Sequence, residues 1–217
     1  MVSSLLALAW PARCPGCGRR AEPVCRECLA SVRAAPRVRP PAGVDAWVAA
    51  FAYEGVVREL VAHVKYRNAR AALAWLADAA AAVAPTPPPA VGAVVVTWVP
   101  TAPARRRDRG FDHAELLAGL VARRLMRPCR GLLGRGPGPA QTGRRRAERI
   151  AGPSLEARRP VPPSVLVVDD VTTTGASIRA AAAALRGRGA DWVGAVTIAR
   201  TPDQPSTRAP NRPNTSP

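Results

Sequence analysis

The segment Val165-Leu166-Val167-Val168-Asp169-Asp170-Val171-Thr172-Thr173-Thr174-Gly175-Ala176-Ser177 constrains the fold of this chain more than any other. The all-apolar run Val165 to Val168 predicts a short strand buried on both faces, as at the centre of a parallel sheet. Two adjacent carboxylates follow, then a hydroxyl-rich turn with one glycine. An Ala-rich helix from Ser177 to Leu185 comes next, ended by Gly187 and Gly189. Ligands of open α/β sheets bind beyond the carboxyl ends of the strands. Turn amides, Thr and Ser hydroxyls and a helix N-terminus together make a phosphate cradle. Carboxylates beside such a cradle would repel the phosphate unless they hold something else, and sugar hydroxyls or Mg²⁺ suit them chemically. A ligand with a phosphate at one end and a ring diol is a 5-phosphoribosyl group. The alternative is an ordinary strand–turn–helix with an acidic turn and a Thr cap. The chain has no G-x-x-x-x-G-K-[ST] pattern, which argues against a P-loop nucleotidase.

The rest of the chain places this segment in an α/β fold. Val48 to Tyr53 predicts a strand, and Val56, Val57, Leu60, Val61 and Val64 follow helical spacing up to Lys65-Tyr66-Arg67. Ala69 to Ala84 predicts a second helix, stopped by Pro85 and Pro87-Pro88-Pro89. Ala93 to Val99 predicts a buried strand closed by Pro100, followed by a basic loop, Arg105 to Gly110. Asp112 can cap a helix from His113 to Met126, with Leu116, Leu117, Leu120, Val121 and Leu125 on its apolar face. Cys129 to Leu133 is a weaker strand candidate, with Cys129 as a small buried hydrophobe. The Gly/Pro/Arg-rich stretch 134–163 should be mobile or partly ordered. Trp192 to Ala199 closes the pattern as the last strand. Strands alternating with helices from about residue 90 onward indicate a parallel sheet flanked by helices.

Four of the five cysteines lie close together, as Cys14-Pro15-Gly16-Cys17 and Cys25-Arg26-Glu27-Cys28. Each Cys-x-x-Cys forms a tight turn that can aim two thiolates at one ion. Two such turns make a tetrahedral S₄ site suited to Zn²⁺, structural because no ligand position stays open. The other reading is a redox dithiol or unpaired buried cysteines. The N-terminal run Met1 to Pro11 lacks a basic start and reads as a short docked helix, not an export signal. The expectation is therefore a cytoplasmic protein with reduced cysteines. Three parts follow: a head at 1–35 with the N-terminal helix and cysteine knuckle, an α/β domain at 36–200, and a Pro/Ser/Thr-rich disordered tail at 201–217.

The formal net charge is +17, with Lys65 as the one lysine. Such charge points to an anionic partner: nucleic acid, a phosphorylated metabolite or a membrane surface. Aromatic residues make up 4%, which argues against a nucleic-acid module built on stacked rings. No apolar run approaches the roughly 20 residues of a membrane span. Residues 105–159 carry 15 Arg against five acidic residues, so much of the excess lies in the segments expected around the phosphate cradle.

Residues Val165–Ser177 resemble the phosphoribosyl-pyrophosphate (PRPP) motif of type I phosphoribosyltransferases. Lys65-Tyr66, Val99-Pro100, Arg109-Gly110-Phe111, Gln141-Thr142 with Arg149, and the paired Cys-x-x-Cys head extend the likeness. Over residues 1–200 the chain is similar to the ComF/GntX branch of that superfamily. The resemblance implies that Asp169 and Asp170 hold the ribose hydroxyls, directly or through Mg²⁺. It implies that Thr172, Thr173, Thr174, Gly175, Ala176 and Ser177 wrap the 5′-phosphate. Pro100 and Thr101 would open the pyrophosphate loop, and Lys65 would belong to the same PRPP site. Arg109 and Arg149 are the catalytic candidates, and with Arg144, Arg145 and Arg146 the latter suits a pyrophosphate leaving group. The implied function is binding of PRPP or a nucleotide 5′-phosphate with magnesium, and phosphoribosyl transfer to an unidentified acceptor. The alternative is a competence factor for DNA uptake that binds single-stranded DNA or a helicase partner, its PRPP site serving as sensor or vestige. Three departures stand out, the first being Ile150-Ala151-Gly152-Pro153 after Arg149, where the family continues with Asn-Val and an aromatic. The family pair Asn-Gln is replaced by Asp112-His113, and Thr173 stands where purine-salvage relatives carry an Asp, so a base mechanism of that type is not supported.

Overall fold

The structure is a computed structural model that describes residues 13–21, 23–67, 70–102, 112–136, 152–158 and 160–202. After a short helix α1 (Arg26–Ala30), the chain runs through strand β1 (Ala46–Ala52) and helices α2 (Gly55–Arg67) and α3 (Arg70–Val83). Strand β2 (Val95–Trp98) and helix α4 (His113–Arg124) follow, then the short antiparallel pair β3 (Leu133–Arg135) and β4 (Leu155–Ala157). Strand β5 (Ser164–Thr172), helix α5 (Ala176–Arg186) and strand β6 (Trp192–Arg200) complete the described chain. The main sheet has the order β1-β6-β5-β2, and every neighbouring pair is parallel. No helix among the described residues is long and apolar enough to cross a membrane. The expected α/β architecture is thus the observed one, with the cysteine knuckle at its N-terminal end.

The alternation of a strand explains both halves of the core. Leu166 and Val168 of β5, with Val196 and Ile198 of β6, face α2, α3 and α4, where Leu60, Leu76, Leu117 and Val121 are buried. Val165 and Val167, with Val193 and Ala195, face Ile178, Ala181, Ala182 and Leu185 of α5. Covering on both faces is why β5 reads as an unbroken apolar run. Each fully buried Leu or Val here contributes about 1.5–3 kcal/mol relative to exposure. The alanines of α5 let its backbone lie close to the sheet, which fixes the helix N-terminus just past β5.

Both edges of the sheet are covered. Along β1, Ala52 N–H donates to Arg33 O at 2.9 Å and Ala35 N–H to Ala50 O at 3.3 Å, so the chain leaving α1 lies against the outer rim. Along β2, Val96 N–H donates to Pro128 O and Arg130 N–H to Val96 O, both at 2.9 Å. The expected strand from Cys129 to Leu133 therefore shrinks to one bridge, Cys129 to Val96, and the regular pairing starts only at Leu133. Pro128 withholds a donor just before the bridge. The expectation of a buried Cys129 is corrected: the residue is exposed at the sheet rim. Within the stretch 134–163, the described residues Leu155–Ala157 pair with Leu133–Arg135, and residues 137–151 and 159 lie outside the described residues.

The head is joined to this core by packing. Val24, Cys28 and Val32 lie against the α2–α4 cluster. Gly16 sits so close to α2 that a Cβ there would come within 2.9 Å of Val56 Cγ2. The segment before β1 is pinned by Asp45, which accepts from Val193 N–H at 2.7 Å and pairs with Arg186 at 2.6 Å. The expected N-terminal helix and most of the tail lie outside the described residues.

Candidate functional site

The strand expected to stop at Val168 continues to Thr172. Asp169, Val171 and Thr172 remain in register with Thr197, Ala199 and Arg200 of β6. This changes the geometry of the acidic pair. In a turn both carboxylates could converge on one ligand, whereas consecutive strand residues face opposite sides. Asp170 points to the side of α2 and α4. Its Oδ2 lies 2.7 Å from Lys65 Nζ and 2.5 Å from His113 Nε2, and its Oδ1 accepts the Val171 N–H at 2.5 Å. All three side chains are largely buried, Lys65 at 20%, Asp170 at 18% and His113 at 7% exposure. Burial opposes the Asp170 charge, but the His113 hydrogen bond and the Lys65 ammonium outweigh it and hold its carboxyl well below the usual range.

Asp169 has the opposite balance. Burial, and then the neighbouring Asp170 charge, push its carboxyl up to about 8, only partly offset by the Asp170 amide and by the charges of Lys65 and Arg135. One oxygen, Oδ1, accepts the Asp170 N–H at 2.9 Å, and Oδ2 has no partner among the described residues. Arg135 of β3 reaches in from the side and donates to Pro100 O at 2.9 Å, so the β3–β4 pair and the Pro100 turn meet here.

Beyond the strand, Thr173 and Thr174 are exposed while Gly175 and Ala176 are buried. Gly175 is the N-cap of α5, with φ 72°, a left-handed conformation that disfavours other residues, and no side chain caps the helix. The first amides of α5 are thus open to an anion. The Thr172 hydroxyl is buried with no hydrogen-bond partner, which in a native fold calls for an explanation. Pro41 closes over the turn, since a Cβ on Gly175 would lie 2.8 Å from its Cγ.

The turn after β2 is tied to α4. Asp112 caps α4 by accepting from Ala114 N–H at 3.1 Å, as the sequence predicts. The same carboxylate also accepts the Thr101 N–H at 3.1 Å and the Thr101 hydroxyl at 2.7 Å. Asp112 and His113 therefore join the Pro100–Thr101 turn and Asp170 through one helix N-terminus. No sequence pattern links His113 to Asp170, because the two are 57 residues apart and no spacing rule connects them. Arg135 was missed for the same reason. The catalytic candidates Arg109 and Arg149, with Arg144, Arg145 and Arg146, lie outside the described residues.

A second cluster lies in the head. The Sγ atoms of Cys14, Cys17, Cys25 and Cys28 all fall within 4.8 Å of one another. Zn–S bonds of about 2.3 Å imply tetrahedral S–S edges of about 3.8 Å, so the donor set fits zinc. Cys17 and Cys25 are 3.5 Å apart at sulfur, and the Cys28 N–H points at Cys25 Sγ. The Cys28 thiol is pushed up to about 12 by the thiols of Cys25 and Cys14 beside it. At Cys14 burial raises the thiol, but amides of Cys25, Cys17 and Gly16 more than offset it and bring it down to about 6. Sulfurs crowded in this way are relieved by a cation at their centre.

The acidic pair does not fit a magnesium ion shared by both carboxylates. Both oxygens of Asp170 already accept hydrogen bonds from the protein.

No family model matches the chain, and no curated protein matches it. Seven chains of solved structures match. One, described as the structure of the allosteric regulatory enzyme of purine biosynthesis, has 23% sequence identity and a TM-score of 0.38. That match covers 66% of this chain and 26% of the other, so the chain spans about a quarter of that protein's length.

Proposed function

We propose that the chain is a phosphoribosyltransferase-like protein that binds a 5-phosphoribosyl ligand, PRPP or a nucleotide 5′-phosphate, at the carboxyl end of β5. One observation carries this reading: a carboxylate oxygen on Asp169 and a buried hydroxyl on Thr172, both without a partner among the described residues, and the uncapped amides of α5 stand in one stretch of chain. The α5 amides and the hydroxyls of Thr172, Thr173, Thr174 and Ser177 take the 5′-phosphate. Asp169 takes a ring hydroxyl, which relieves the cost of its burial. The motif resemblance of Val165–Ser177 supports the same assignment.

With PRPP, transfer breaks the bond between ribose C1 and the pyrophosphate oxygen, whose electron pair leaves with pyrophosphate, and forms a bond from an acceptor to C1. The residues need only position the sugar and stabilise the departing charge, and no protein nucleophile is required. Arg109 and Arg149 are assigned to the leaving group on the resemblance alone. The cysteine cluster serves as a structural zinc site that anchors the head to α2. Titration calorimetry with PRPP tests the reading. Heat of binding in the wild type, reduced at least about tenfold in affinity by Asp169→Asn, is the expected result. Absence of binding in the wild type sinks it.

A further inference from the structure

Two adjacent acids at the end of a strand attract a divalent cation by charge alone, yet this pair has little left to offer one. A carboxylate oxygen has two lone pairs. On Asp170 Oδ2 both face donors, Lys65 Nζ at 2.7 Å and His113 Nε2 at 2.5 Å, and Oδ1 accepts the Val171 amide. With Asp170 ionised, the imidazole nitrogen is the donor of that bond. An ion at Oδ2 would also sit against the Lys65 ammonium, a like charge. The α2–α4 side offers no room either. The cavity between Lys65, His113, Asp170, Val64, Leu117 and Ile198 has about 10 Å³, enough for one water at most and too small for a hydrated magnesium ion. On the other carboxylate Asp169 Oδ2 alone has no partner among the described residues, and the charges of Lys65 and Arg135 already act on this carboxyl. Magnesium is ordinarily held by one or two carboxylates together with substrate oxygens and waters, and among the described residues this pair leaves it a single carboxylate oxygen, on Asp169.

We propose that Lys65, with His113, stands in for the divalent cation at this acidic pair, so that the site binds a phosphopentose without magnesium. Lys65 and His113 are positioning residues: the Lys65 ammonium neutralises Asp170, the His113 hydrogen bond fixes it, and Asp169 alone meets the sugar. The proposal rests on the phosphopentose reading above, and it departs from the magnesium expectation that the motif resemblance raises.

Ribose 5-phosphate is the probe, because it lacks the pyrophosphate that brings magnesium to PRPP. The zinc-loaded full-length chain is titrated by calorimetry in buffer freed of divalent ions on a chelating resin, and again with magnesium chloride added. The wild type should bind equally in both, within about twofold. Lys65→Met should bind at least about tenfold more weakly in the metal-free buffer and recover part of that loss with magnesium, which can then reach Asp170 Oδ2. Lys65→Arg should remain magnesium-independent. Wild-type binding that weakens about tenfold or more without magnesium overturns the proposal while leaving the phosphopentose reading intact. So does a Lys65→Met loss that magnesium does not relieve, which would make Lys65 merely structural, and so does wild-type affinity in Lys65→Met. No wild-type binding in either buffer overturns the phosphopentose reading and the proposal with it. If Lys65→Met fails to fold, the wild-type pair of titrations decides alone.

Discussion

Replacing Asp169 by Asn should make the ligand-free protein more stable while impairing its site. The reason lies in the environment of that carboxyl. In the unfolded chain it ionises near 3.8, and in the fold burial and Asp170 hold it to about 8. Between those values the native state binds more protons than the unfolded state, so stability falls as pH rises through the window. Below the unfolded value both states are protonated and the effect vanishes. At pH 7 about three pH units of the window have been crossed, which sets a ceiling of about 4 kcal/mol at about 1.4 kcal/mol per unit. Relaxation of a half-buried carboxylate toward water reduces this, and about 1–3 kcal/mol is the working expectation. For a chain of this length each kcal/mol moves Tm by about 2–4 °C. Asp169→Asn should therefore melt several degrees above the wild type at pH 7, with the gap closing as pH falls toward 4. Circular dichroism melts of both proteins from pH 4 to 8 measure this, and groups shared by both cancel in the difference. A variant less stable than the wild type at pH 7, or a gap that does not narrow at acid pH, would refute the reasoning.

Three further outcomes follow from the packing. Atomic emission should find one zinc per chain, and Cys14→Ser should lose it together with about 2–4 kcal/mol of stability as Val24, Cys28 and Val32 detach from the core. Asp112→Ala should cost about 2 kcal/mol in urea denaturation, since it removes the α4 cap and strands both Thr101 donors; Asp112→Asn should recover part of the loss. Gly175→Ala should cost about 1–3 kcal/mol by thermal melting, because alanine is strained at φ 72° and its methyl meets Pro41.

The order of strands and helices was legible because both faces of β5 are covered, so its apolar run is a local property of the sequence. The Asp112 cap and the two Cys-x-x-Cys turns were legible for the same reason, since each is made by residues a few positions apart. The end of β5 was not. The polar run from Asp169 predicts a turn, but pairing with β6 as far as Arg200 carries the strand on through Thr172. That extension sends the two acids to opposite faces and separates their roles. The Lys65 and His113 contacts depend on where α2 and α4 dock, which no local pattern encodes. The burial of Cys129 was misjudged because the residue type favours interiors, whereas its place on the sheet rim is set by one bridge to Val96.

The strip of chain along β1 has a consequence for the protein in the cell. Residues 33–35 follow directly from the cysteine cluster and cover the outer rim of that strand. A chain that has not yet acquired its metal would leave those backbone groups open, and an open strand edge is a template for other chains. A metal held by the four cysteines would then govern solubility as well as stability. Metal-starved protein should accumulate as aggregates joined edge to edge through β1, even though the four-stranded sheet itself is intact.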